Sequence, residues 1–500
     1  MTRDRLWLAL GILLPALAAT IAPMSTVDLA YQVRAGDLML GSLAVLRTDP
    51  FTFTAFGEPW LNQQWGAGVL LAAAFAPAGW GGLALLRAVL VAAAVALVML
   101  AARRWLLSRS AALLALAGFV VGIASLGLRA QLFGIVLFAA VLASLAWREQ
   151  RPRLTWLVPL LVLAWANLHG SFFLGPAAVA VALGDDVVAR RPAARMLLIL
   201  GLSLVATCVT PFGPSVWGYA LGIATNGQVT SLITEWQRTS PLSVTGALFY
   251  ASVAGAAWLI REGWRRDVRP SLPALAWLGG LALLGAWAER GVAWWAFGAP
   301  VALAPTVASL LAPAGEPGPE RKAEPQLLTV LNAAVVVILA LGVAGLQPML
   351  RAGAALTGPS GLLRDAPGGL AGALAGLAGP SDRAVVPQPW ASWFSWAAPG
   401  VPVMVDSRVE VVPASAWEDY ATIVGGGPAA LATLQRVAVS VVVVDPATQS
   451  ALDIRLRGIG SGWKLAYEDG DGAIFVPGRQ AATDDRGMWS TPLDWYPRQP

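Results

Sequence analysis

Two carboxylates in one polar stretch and two arginines in short turns are the side chains of this sequence best suited to chemistry. Asp28 directly follows the first apolar segment, and if helical register continues past it, Gln32 falls on the same face with Tyr31 beside it. A carboxylate at that depth, in a partly dry cleft, can act as a general base with a raised pKa; the plainer reading is a solvated aspartate at a helix end. Asp49 precedes Pro50 and either takes part in the chemistry or makes a turn with Thr52. Arg129 and Gln131 sit in a turn too short to be a free loop, so the arginine either reaches headgroups or binds an anion such as a phosphate. Arg290, between two apolar runs, is a second anion-binding candidate. Glu235 and Trp236 pair an acid with a ring that can stack on a sugar or lie at a membrane interface. His169 is the only histidine and has no cysteine nearby, so it carries no zinc signature and reads as a hydrogen-bonded structural residue or a ligand contact.

These residues must be positioned by apolar elements, because the chain is 57% hydrophobic and only 13% charged. A mean hydropathy of +0.64 with repeated apolar runs of membrane-crossing length defines a polytopic α-helical membrane protein. Eleven spans are expected, at 6–22, 81–101, 112–127, 132–147, 154–168, 172–188, 196–212, 244–260, 271–287, 292–311 and 327–346. The first, preceded by Arg3 and Arg5, reads as an uncleaved signal anchor. The apolar piece 66–78 is too short to cross and is expected to re-enter or lie on the surface. With the N-terminus inside, the inner loops hold seventeen Lys and Arg and the outer loops five, a bias that orients the chain and places its C-terminus outside. The same clustering explains the net charge of +5 without nucleic acid.

In that orientation the outer loops collect nearly every unusual polar group: the 23–65 loop, the turns around Arg129, His169 and Arg290, and the 213–243 loop with Glu235. The inner loops are merely cationic. Cys208, the single cysteine, excludes an intramolecular disulfide. No P-loop, dinucleotide fingerprint or Gly-x-Ser-x-Gly elbow is present.

Residues 1–348, with the 23–65 loop, are expected to form the transmembrane domain, and 349–380 a Gly/Ala/Pro-rich linker with a short helix. Short β-type runs at 384–388, 401–406, 437–445, 463–469 and 472–477, with helices at 416–424 and 427–436, predict a small extracytoplasmic α/β domain over 381–478. Residues 479–500 read as a loose tail.

The pattern Asp28-Leu-Ala-Tyr-Gln32…Thr48-Asp49-Pro50-Phe51-Thr52…Gly57-Glu-Pro-Trp60…Gln64-Trp65 resembles a bacterial family of C-type membrane glycosyltransferases. The similarity continues through Arg129-Ala-Gln131-Leu-Phe133, Trp165-Ala-Asn167-Leu-His169-Gly170, Thr210-Pro211-Phe-Gly213, Glu235-Trp236 and Val405-Asp406-Ser-Arg408. Gln32 stands where a histidine is common in that pattern, and Gln64 where an acid is common. The resemblance implies a polyprenyl-phosphate sugar donor entering from the bilayer and a glycan, lipid or protein acceptor in the cell envelope. Asp28 would be the catalytic base, with Asp49 beside it; Arg129, Gln131 and Arg290 would hold the donor phosphate. Gln32, Trp65, Asn167, His169, Glu235 and Trp236 would line the substrates, and a divalent cation, Mg2+ or Mn2+, shared by Asp28 and Asp49 stays open.

Two other readings compete. A transporter would carry ionisable groups at mid-bilayer and paired broken helices, whereas the charges here crowd one rim and no repeat is visible. An envelope-assembly partner would share the transporter's lack of catalysis, and a sensor whose outer α/β domain binds a glycan would use Asp406, Arg408 and the tryptophans 390, 393 and 396, unless those rings serve packing.

Overall fold

The computed structural model describes residues 1–312 and 325–478; Arg321, Lys322 and the expected tail 479–500 lie outside the described residues. The described residues divide into two compact units, one drawn from 1–24 and 63–352, the other from 25–62 and the described residues after 352. The expected division by chain order is therefore not the observed one: residues 25–62 leave the helical unit and fold with the C-terminal residues.

The first unit is helical. Seven described helices are long and apolar enough to cross a membrane: Arg3–Ile21, Trp65–Ala102, Ser108–Ser125, Gly170–Val188, Val244–Arg265, Glu289–Leu311 and Gln326–Gly345. Shorter apolar helices at Ala130–Ala146, Pro152–Leu168, Ala194–Thr207 and Leu272–Trp287 fall on the other expected spans. The protein is a multi-pass membrane protein. The 66–78 piece is not separate; it continues into the next span as one 38-residue helix, broken at Gly79, whose φ of 55° and ψ of −146° leave the helical region. A glycine fits that conformation because no Cβ obstructs a positive φ.

Helices approach closely where side chains are small. Gly118 lies against the Ala296 carbonyl, and a Cβ on Gly122 would stand 2.9 Å from the Ala296 Cβ. Phe138, Trp165 and Trp294 meet with ring centroids 5.6–6.0 Å apart and are almost wholly buried.

Arg87, 3% exposed, is an ionisable group inside a span, and its partners explain why it is tolerated. Its guanidinium donates to the carbonyls of Ala19 (2.5 Å) and Ala22, orphan acceptors at the end of the first helix, and to that of Pro23 (2.9 Å) just beyond it.

The second unit is built on a four-stranded sheet ordered Ala384–Val385, Val441–Val444, Ala473–Pro477, Trp463–Glu468, the first pair parallel and the others antiparallel. Val441–Val444 is fully buried, as its unbroken valine run predicts. The expected strand 401–406 forms only bridges: Val403 pairs in parallel with Ala384 on one side and with Thr52 on the other. Residues 51–53 of the polar stretch thus extend the sheet edge, with Phe53 N–H donating to the Val403 carbonyl at 3.0 Å and Val403 N–H to that of Phe51 at 3.1 Å. The Leu29–Ser42 helix packs on the Gln388–Ala397 helix, and the Tyr31 N–H donates to Ser392 Oγ at 2.8 Å. The expected helices appear at Ala414–Val424 and Ala430–Arg436, and the short linker helix at Gly368–Leu377.

Arg408 is the centre of this unit. It donates to Asp406 Oδ2 (2.9 Å from Nε, 2.5 Å from Nη2) and to Asp49 Oδ1 (2.6 Å). Its guanidinium carbon lies 4.5, 4.9 and 5.4 Å from the ring centroids of Trp60, Phe51 and Tyr31, whose centroids stand 6.4 Å from one another. Nη1 is buried without a hydrogen-bond partner among the described residues, and the ring faces take up its charge. Burial and Asp49 raise the Asp406 carboxyl against the lowering pull of Arg408, with a net upward shift. Asp406 and Arg408 are 0% and 2% exposed, so they offer no surface to a glycan. Trp393 is buried as well, its indole N–H on the Pro367 carbonyl at 3.2 Å.

Candidate functional site

Five of the expected site residues come together in the helical unit, from three separate stretches of chain. Arg129 precedes the Ala130–Ala146 helix in extended conformation, Glu235 and Trp236 form a 3₁₀ turn, and Arg290 lies in a second such turn before the Val292–Leu311 helix. Backbone bonds join the two turns: Glu289 N–H donates to the Gln237 carbonyl at 3.1 Å and Thr239 N–H to that of Ala286 at 3.3 Å.

Glu235 bridges the two guanidiniums, with Oε1 at 2.7 Å from Arg129 and Oε2 at 3.7 Å from Arg290. Arg129 also donates to Gln131 Oε1 at 2.8 Å, and the Gln131 amide donates to the Arg290 carbonyl at 3.4 Å. The Arg290 guanidinium stacks 4.8 Å from the Trp236 ring centroid. Burial pushes the Glu235 carboxyl up, but Arg129 and Arg290 outweigh it and hold it below the usual carboxylate range. Two cations converge on one carboxylate in a partly buried setting. That is the electrostatics of an anion site.

His169 stands beside this cluster, near enough that Arg129 and Arg290 both act on it electrostatically. Its Nδ1 lies 2.7 Å from Ser171 Oγ and accepts the Ser171 backbone N–H at 3.2 Å, while Trp165 Nε1 donates to the same Oγ at 3.1 Å. The ring centroid of Trp294 is 6.1 Å away. Trp294 and Gly134 join this group from outside the expected site residues, although Trp294 follows Arg290 by one helical turn and Gly134 follows Gln131 by nearly one. A Cβ on Gly134 would stand 2.9 Å from Trp165 Nε1 and 3.2 Å from His169 Nδ1. Gly134→Ala is therefore expected to lower stability by about 1–3 kcal/mol, since Trp165 is wholly buried and has nowhere to retreat; thermal unfolding in detergent measures it.

The remaining candidates lie elsewhere. Asn167 accepts from Trp65 Nε1 at 3.0 Å and donates to the carbonyls of Leu163 (2.9 Å) and Val209 (3.0 Å), a clasp that occupies their polar atoms. Asp28 belongs to the other unit, half-buried at the start of the Leu29–Ser42 helix, which its side chain does not cap. The expected neighbourhood holds: burial, then the Asp28 charge, drive the Tyr31 hydroxyl pKa upward, and the Gln32 side chain bonds that hydroxyl. Asp49, 1% exposed, has every lone pair engaged: it accepts from Phe51 N–H and Thr52 N–H (3.1 Å each), the Thr52 hydroxyl and Arg408. It does not fit a shared Asp28–Asp49 cation, and among the described residues no group of three or more His, Cys, Asp or Glu gathers for a metal.

The fold is that of the C-type polytopic membrane glycosyltransferases. The oligosaccharyltransferase of Archaeoglobus fulgidus in its apo form matches 97% of this chain and 75% of its own with a TM-score of 0.55 at 12% identity. The same organism's AglB in complex with an inhibitory peptide and a dolichol-phosphate gives 0.54 at 12% identity over 99% and 76%. ArnT from Cupriavidus metallidurans, bound to undecaprenyl phosphate, gives 0.52 at 14% identity over 94% and 97%. No protein-family model and no curated protein matches the sequence.

Proposed function

We propose that the protein is a membrane glycosyltransferase that moves a sugar from a polyprenyl-phosphate donor to a cell-envelope acceptor on the extracytoplasmic face. The observation that carries this reading is the Arg129–Glu235–Arg290 bridge, a cationic site assembled from three turns of a bundle with a glycosyltransferase fold. Structures with that fold have been solved with lipid phosphates bound, which supports the same ligand here. The arginine bias of the loops supports an N-terminus in the cytoplasm and these turns on the far side.

In the proposed reaction Asp28 takes the proton of the acceptor hydroxyl as the oxygen attacks the anomeric carbon. The bond from that carbon to the phosphate oxygen breaks, and polyprenyl phosphate leaves with the electron pair and inversion at the carbon. Arg129 and Arg290 stabilise the leaving phosphate, where charge develops. Before the donor arrives, Glu235 holds the two guanidiniums apart from one another and pointed at a common place, so little reorganisation remains. Gln131 and Trp236 fix their planes. Asp49 is assigned to holding its own segment rather than to proton transfer, because no lone pair is left for a proton.

Protein in liposomes, given radiolabelled polyprenyl-phosphate sugars and an envelope extract, tests the reading. Asp28→Asn is expected to lower transfer by about 10²–10⁴-fold with folding intact. Equal transfer by the variant removes Asp28 from its role, and no transfer by the unmodified protein with any donor rejects the enzyme.

A further inference from the structure

His169 has a proton whose position the hydrogen bonds decide. The Ser171 backbone N–H can only donate, and it points at Nδ1. Trp165 Nε1–H donates to Ser171 Oγ, which keeps its own hydrogen to give to the same Nδ1. Nδ1 is thus a lone-pair acceptor, and the neutral ring carries its hydrogen on Nε2. Among the described residues Nε2 makes no hydrogen bond, while both bonds of the ring are on Nδ1. The ring is 8% exposed, and turning it over would give up both Ser171 bonds. Burial first, then the charges of Arg290 and Arg129, hold its pKa well below the ordinary histidine value, so the ring stays neutral beside two cations.

We infer that His169 is a neutral hydrogen-bond donor to the leaving phosphate through Nε2–H, with Ser171 and Trp165 as its positioning residues. This rests on the donor-phosphate site proposed above. A neutral donor adds stabilisation where a third cation would be repelled by the first two, and it cannot be mistaken for the base, since its one lone pair is spent on Ser171. The ligand class is a phosphomonoester or phosphodiester oxygen carrying negative charge.

The sequence offers an unusually direct test, because ¹⁵N-histidine labelling lights up one ring in 500 residues. Nitrogen spectra of the full-length protein in lipid at neutral pH are expected to show a protonated Nε2 and an unprotonated Nδ1. Farnesyl phosphate should shift the Nε2–H proton downfield and leave Nδ1 in place, while farnesol should shift neither. A ring protonated on Nδ1, or on both nitrogens, overturns the inference. So does an unmoved Nε2–H when a parallel titration shows farnesyl phosphate bound at saturation; the donor site then survives without His169. Failure of the phosphate to bind at all removes both. In the transfer assay His169→Gln, whose amide can present N–H near the same place, should keep activity within about tenfold, and His169→Ala should lose about 10²-fold. Equal activities of the two variants overturn the donor role, and the spectra decide on the unmodified protein should the alanine variant not fold.

Discussion

Arg290→Ala protein is expected to transfer sugar about 10²–10³-fold more slowly in kcat, the usual effect of removing one preorganised group from developing negative charge. Arg290 is chosen over Arg129 because its bond to Glu235 is the longer, 3.7 Å against 2.7 Å. Its removal disturbs the neighbouring turn less, since the carbonyl that accepts from Gln131 remains. The cluster loses one of the two cations that converge on Glu235, and with it part of its attraction for an anion. Binding of the donor in the ground state should weaken too, but less than the rate, because the phosphate gains charge only as the sugar departs. Arg290→Lys should recover a minor part: an ammonium keeps the charge and loses the planar contact with Trp236 and the forked geometry. Initial rates at several donor concentrations separate the two effects. A rate within twofold of the unmodified protein would detach Arg290 from the leaving group. Glu235→Gln is informative in the opposite sense, since it frees both guanidiniums from their shared counter-ion; donor binding should tighten or hold while turnover falls.

Arg408→Met should destabilise the C-terminal unit by about 3–5 kcal/mol, enough to unfold it or leave it open to protease. The methionine fills much of the same volume, so the effect isolates the charge. It leaves Asp406 and Asp49 facing each other in the core with no cation, and the three rings around an apolar chain instead of a guanidinium. The loss should shrink on acidification. Arg408 is the main influence that lowers the Asp406 pKa, so without it the folded-state value rises further above the unfolded one. Stability tied to a raised carboxyl pKa is present below the unfolded value, near 4, and is lost as pH rises through the folded one. Unfolding followed by limited proteolysis at pH 4.5 and 7.5 reads both effects. Adding Asp406→Asn to Arg408→Met should restore part of the loss at neutral pH, whereas Arg408→Lys should restore little, having no fork to span two carboxylates.

The membrane architecture and the polar residues that meet at Glu235 were legible in the sequence, and the reason is local. A helix that crosses a bilayer must be apolar over its own length, so each span announces itself without reference to any other. Arg129 and Arg290 stand out because a charged group in a short turn between apolar runs is uncommon wherever its partners are, and Glu235 because it neighbours Trp236 in the 213–243 loop. Their meeting was not written there. Glu235 is 106 residues from Arg129 and 55 from Arg290, separations that carry no periodic signal. The proton on His169 was likewise hidden, since it depends on which atoms of Ser171 and Trp165 reach the ring.

The polar stretch shows the limit most clearly. Its residue types point to catalysis, with Asp28 as the base and Asp49 beside it. The folded chain makes residues 51–53 a sheet edge against Val403 and sinks Asp49 onto Arg408, 359 residues away. Composition marks a carboxylate as polar but not as buried; only a partner brought from the far end of the chain offsets the desolvation of its charge. Hydropathy and local charge therefore fixed what kind of protein this is, while long-range pairing decided which of its polar residues hold the structure and which remain for a ligand.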